Sequence, residues 1–178
     1  IVGFFCVRLR GIYFAVLTLA FGQLIFFIVF KWHNFTGGDD GIHGISVPSM
    51  IGSTKGAYYF TMIVAGLAMF FMYRILHSPF GSTLQGIRDN AVRSQAIGVN
   101  VRRHQLTALV IAGFFAGVAG VLFVVVDSSV FPNMLFWTLS LEITIMALLG
   151  GWFTFFGPML GAAMIVLLRT FVSTVTEY

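Results

Sequence analysis

LTALVIAGFFAGVAGVLFVVV, residues 106–126, runs for 21 residues without a charge. As an α-helix it rises about 30 Å, which is the thickness of a bilayer's hydrocarbon core. Working outward, residues 12–30, 57–73 and 143–168 are also uncharged, each about 17 to 26 residues long. Hydrophobic residues make up 58% of the chain and charged residues 9%, with a mean hydropathy of +0.97. A soluble domain carries roughly 25% charged residues, so this chain belongs in a bilayer. Period-two alternation is absent, and the runs exceed the about 9 to 11 residues of a barrel strand. The expected fold is an all-α integral membrane protein with about four full spans.

Charge sets the expected orientation. Arg8 and Arg10 precede the first run. Arg74, Arg88, Arg93, Arg102 and Arg103 stand against Asp89 alone in the segment 74–105, whereas residues 127–142 carry no basic residue. Positive charge close to spans stays on the cytoplasmic side. This rule puts Arg8, Arg10, the 74–105 loop and Arg169 inside, and 31–55 and 127–142 outside. The same rule accounts for the formal charge of +4 without a nucleic acid. Trp32, Tyr58, Tyr73 and Trp137 fall near span ends, where amphipathic rings favour the interface. Ile1–Val7 reads as the end of a truncated span, so residues 1–178 are expected to form a single transmembrane domain lacking its N-terminal part. The single cysteine, Cys6, reads as a small buried hydrophobe.

Breakers punctuate the apolar runs. The last run contains Gly150-Gly151 and Gly157-Pro158, so the final span is expected to be broken or re-entrant at one of these pairs, as helices lining a substrate path often are. Gly113, Gly117 and Gly120 in the third run, and Gly157 and Gly161 in the last, are spaced for close helix–helix packing. Within the arginine-rich loop, Ser78-Pro79 ends a span and residues 83–96 can form a short helix with Leu84, Ile87 and Ala91 on one face, stopped by Gly98. Such a helix can rest on anionic lipid or be presented to a soluble partner. Its small apolar face suits a groove in another protein better than a bilayer surface.

Residues 85–100, QGIRDNAVRSQAIGVN, resemble the coupling loop of branched-chain amino-acid ABC transporter permeases. RLRGIYFAVLTLAF at 8–21, TGGDDGI at 36–42, LGG at 149–151 and GPMLGA at 157–162 resemble the same family in the same order. The 8–21 and 36–42 segments point to the family's M-type subunit. The resemblance implies an importer permease for branched-chain or other hydrophobic amino acids in a bacterial or archaeal plasma membrane. Its implied partners are cytoplasmic ATPase subunits, a second homologous permease, and a periplasmic or lipid-anchored binding protein, with membrane lipid around it. The resemblance assigns coupling to 74–105, through Gln85, Arg88, Asp89, Asn90, Ala91, Arg93, Ala96 and Gly98. It also assigns an outer motif of Thr36, Gly37, Gly38, Asp39 and Gly41. Two departures stand out: Ser94-Gln95 replaces a usual acid in the loop, and Asp39-Asp40 replaces a single acid. Close relatives carry urea or short-chain amides, which is the nearest alternative.

No GxxxxGK[ST] occurs, so nucleotide would be bound by another chain, and neither catalysis nor a cofactor is expected of this one. Its four histidines are scattered over loops, and no metal site is expected. Glu142, at the mouth of a span, is the sharpest candidate for the translocation path, because an acid there is costly unless it meets a partner, water or a cavity. Thr18, Gln23, Gly150 and Gly151 complete the candidate path. A secondary transporter or channel would be expected to carry acids within its spans, and an intramembrane enzyme a nucleophile with a base, or metal ligands at bilayer depth; neither pattern stands out here.

Overall fold

The computed structural model describes residues 3, 6, 11–45, 53–151 and 153–176. The calls on Arg8 and Arg10, and on most of Ile1–Val7, lie outside them. The chain divides into two compact units, one ending at Pro132 and the other beginning at Asn133.

The first unit begins with α1 (Ile12–Lys31), an apolar helix with Lys31 in its last turn, where a cation suits the negative end of the dipole. A short helix α2 (His33–Thr36) and a 3-10 turn (Gly38–Asp40) lead into β1 (Ile42–His43). Helix α3 (Thr54–Leu76) starts where Ser53 Oγ accepts the Gly56 N–H at 3.1 Å. Two short helices, α4 (Pro79–Asp89) and α5 (Ala91–Ala96), then return the chain to α6 (Val101–Asp127). The two-residue strand β2 (Ser129–Val130) pairs antiparallel with β1, matching Ile42 with Val130. Helices α3 and α6 pack antiparallel, and α4 packs on both.

Few large side chains are buried: Phe26, Ile87 and Leu122 are, while Leu19, Phe27, Tyr58, Phe70, Phe114 and Val121 stand exposed. Lipid or other helices must cover such a surface, since water would not tolerate it. Four helices among the described residues are long and apolar enough to cross a membrane: α1, α3, α6 and Gly157–Thr174. This is a multi-pass membrane protein.

The second unit is a helical hairpin. The 143–168 run is not one helix: α7 (Trp137–Gly150) ends at the first glycine pair, and α8 (Gly157–Thr176) starts at the second. Gly151, at φ 108°, turns the chain. A Cβ on Gly150 would meet the Gly157 carbonyl, and one on Gly161 would meet the Met146 carbonyl, so the two backbones touch with antiparallel register. By that register Arg169 stands level with Thr138, at the end where α7 begins. The expectation that Arg169 lies across the membrane from residues 127–142 assumed a single crossing, and the hairpin removes it. Gly157 and Gly161 thus make the close contact their spacing suggested. Gly113, Gly117 and Gly120 meet no atom within 4 Å, so these glycines of α6 make no such contact among the described residues.

Candidate functional site

Of the eight loop residues expected to couple, Gln85, Arg88 and Asp89 lie on α4, Ala91, Arg93 and Ala96 on α5, Asn90 between the two helices and Gly98 just after them. Ser78 caps α4 with Pro79 in the first turn, and Gly81 is buried against the Leu76 carbonyl, where no larger residue would fit. The expected helix over 83–96 is in fact two helices. Asn90 breaks it with extended backbone (φ −156°, ψ 99°), and its Oδ1 accepts the Arg93 N–H at 2.9 Å to start α5. Gly98, at φ 90°, follows the end of α5, and Asn100 Oδ1 accepts from the Arg103 N–H at 3.2 Å to open α6. Three side-chain caps within 23 residues fix the path of a segment with little core of its own.

Ile87 is buried and Leu84 and Ala91 half-buried, as the apolar face required. Gln85, Arg88, Asp89, Asn90, Arg93, Ala96 and Gly98 are exposed. Arg88 pairs with Asp89 at 3.3 Å. Of the pair Ser94-Gln95, Ser94 is buried and donates its hydroxyl to the Asn90 carbonyl at 3.0 Å, while Gln95 is exposed. The sequence reading overlooked Val92 and Ile97, which are 70% and 79% exposed. The signal was available for Val92, which lies away from the Ala91–Ser94 face that packs inward; Ile97, three residues after Ser94 and just past the helix, carried none. The result is a surface with two apolar knobs flanked by arginines.

The outer motif is a tight connector. Thr36 Oγ1 lies 2.7 Å from the Val29 carbonyl and 2.9 Å from that of Trp32, and accepts from the Gly38 N–H at 3.4 Å. Gly37 and Gly41 take positive φ, and a Cβ on Gly41 would strike the Val130 carbonyl. His43 reaches Ser129 Oγ at 3.4 Å and meets the Phe131 ring edge-on. The motif therefore ties the end of α1 to the strand that follows α6. The side chain of Asp39 lies outside the described residues.

The candidate path residues are dispersed. Thr18 and Gln23 both lie on α1, but five residues apart they point about 140° away from each other. Thr18 returns its hydroxyl to the Phe14 carbonyl at 2.7 Å. Glu142 lies on α7, half-buried, with no hydrogen-bond or ion-pair partner among the described residues. Gly150 is a helix-contact residue and Gly151 the turn after it.

A helical membrane protein with a capped, basic loop between two of its spans is the class these features define. The chain belongs to the family described as branched-chain amino acid transport system / permease component, whose model matches residues 1–178. It is similar to the high-affinity branched-chain amino acid transport system permease proteins LivM of Escherichia coli and Salmonella typhimurium. Each is 27% identical over all of this chain and 48% of the relative. It also resembles the probable branched-chain amino acid transport permease protein LivM of Methanocaldococcus jannaschii, 25% identical over 71% of this chain and 37% of the relative. The chain spans about half the length of the curated relatives it matches. No solved structure gives a significant match.

Proposed function

We propose that this chain is part of the permease subunit of an ATP-binding-cassette importer that carries branched-chain or other hydrophobic amino acids across a plasma membrane. The observation that carries this reading is the α4–α5 pair, a docking-sized surface between two spans, with Val92 and Ile97 exposed and Arg88 and Arg93 beside them. Apolar side chains rimmed by charge are what a protein groove recognises, and the caps at Ser78, Asn90 and Asn100 hold them in place without a large core. Nucleotide binding in a cytoplasmic ATPase seated here shifts the balance between outward- and inward-facing states, and the rigid corner at Gly81 passes the movement to α3. A second homologous permease completes the path, and an external binding protein delivers the substrate. The chain does no covalent chemistry itself.

Co-purification of the full-length protein from its native host tests this. Wild type is expected to retain an ATPase chain, and Val92→Asp with Ile97→Asp, or Arg88→Glu with Arg93→Glu, to reduce its recovery by about tenfold or more while the membrane level is maintained. Absence of any ATPase from the wild-type sample would sink the reading.

A further inference from the structure

Glu142 lies five residues beyond Trp137, so it stands about 7.5 Å along α7 from the first residue of that helix. Its neighbours Leu139, Leu141, Ile143 and Ile145 are exposed apolar side chains that lipid or another helix must cover. A carboxylate in such surroundings is costly without a counter-charge. Glu142 has no hydrogen bond or ion pair among the described residues, and neither has Arg169 on α8. In the sequence from Asn133 to Tyr178, Arg169 is the one basic residue.

The hairpin brings these two charges to the same seam. Burial repeats every four residues on both helices. Glu142, Met146 and Gly150 are the covered positions on α7, and Gly157, Gly161 and Ile165 those on α8, whereas Val166, Leu167 and Leu168 are exposed. Rows of that period face each other where the four-residue ridges of two helices interdigitate, and the backbone contacts of Gly150 and Gly161 lie in these rows. One more turn along the α8 row is Arg169.

The direction of the side chains favours a meeting. Thr138, level with Arg169, is one turn of α7 before Glu142, so the two charges are offset by about 6 Å along the hairpin. Helical side chains lean toward the N-terminus of their own helix. The helices are antiparallel, so Glu142 leans toward the open end of the hairpin and Arg169 toward the turn. Each closes part of the offset between them.

We propose that Glu142 and Arg169 form an ion pair that latches the open end of the α7–α8 hairpin. Near the turn the backbones touch through glycines, but toward the open end the rows carry Met146 and Ile165, whose bulk holds the helices apart. Two long charged side chains span that wider gap, and in apolar surroundings their attraction is less screened than in water. An acid that stood out in the sequence for the translocation path thereby finds its partner within its own hairpin.

The test uses the full-length protein in lipid nanodiscs and compares Glu142→Gln, Arg169→Gln and the variant carrying both. Removing one partner of a pair held away from water leaves the other charge uncompensated, and removing both does not. Each single variant is expected to lower the melting temperature by about 4 °C or more, and the double variant to melt above both. A double variant that melts no higher than the less damaged single variant, or single variants that match wild type, overturns the latch. Where a single variant fails to accumulate in the membrane, the level of the double variant gives the same reading: recovery toward wild type supports the pair, and a level as low as that of the single variant overturns it.

Discussion

Two sets of glycines with similar spacing behave differently. Gly150 and Gly161 sit where the α7 and α8 backbones touch, and a side chain at Gly161 would fall on the Met146 carbonyl, an atom fixed by its helix and unable to give way. Gly161→Leu is therefore expected to destabilise the protein by about 1–3 kcal/mol, read as a lowered melting temperature of purified protein in detergent. Gly117 faces no described atom. Gly117→Leu in the same assay on the isolated subunit is expected to stay within about 0.5 kcal/mol of wild type, and a large loss there would mean that α6 packs on part of the longer protein. Sequence spacing made both stripes legible as places where a backbone could come close. Which stripe finds a neighbour depends on the surface opposite, and spacing within one helix carries no record of that.

The loop between α3 and α6 shows what local signals can and cannot convey. Ser78-Pro79 and Gly98 marked a start and a stop, and the buried Ile87 followed from apolar periodicity. The break at Asn90 did not, because Leu84, Ile87 and Ala91 keep helical spacing across it and asparagine costs little in a helix. What decides the break is a cap: Asn90 Oδ1 satisfies the Arg93 amide, and Ser94 bonds back to the Asn90 carbonyl. Asn90→Ala removes the first of these and is expected to cost α5 about 1 kcal/mol, which corresponds to roughly fivefold faster amide hydrogen exchange confined to residues 91–96. Exchange that accelerates through α4 as well would mean that the two helices form one cooperative unit. Unchanged exchange would show that the packing of Ser94, and not the cap, holds the turn.

Most of the membrane architecture could be read from chain composition, because a bilayer demands long uncharged helices and the sequence supplies three that appear as expected: α1, α3 and α6. The fourth run was legible as broken, because Gly150-Gly151 and Gly157-Pro158 marked the interruption where α7 ends and α8 begins. What hydropathy did not carry is the reversal of direction there, because the connection between α7 and α8 is Gly-Trp-Phe-Thr-Phe-Phe-Gly, as greasy as the helices it joins. Charge gave little correction, since Arg169 is a lone cation and orientation by positive charge is a sum over loops. The hairpin makes a topological demand that a single crossing does not. With 14 residues, α7 rises about 21 Å, short of a full hydrocarbon core, and α8 then leads back past its starting level. In a background without other cysteines, Thr138→Cys and Arg169→Cys are expected to react with a membrane-impermeant maleimide from the same side of sealed vesicles, and Thr154→Cys, at the turn, to resist it from either side. Labelling of positions 138 and 169 from opposite sides would mean that α7 and α8 together make one crossing of the bilayer rather than dipping in and returning, and the backbone contacts at Gly150 and Gly161 could not then hold in the membrane.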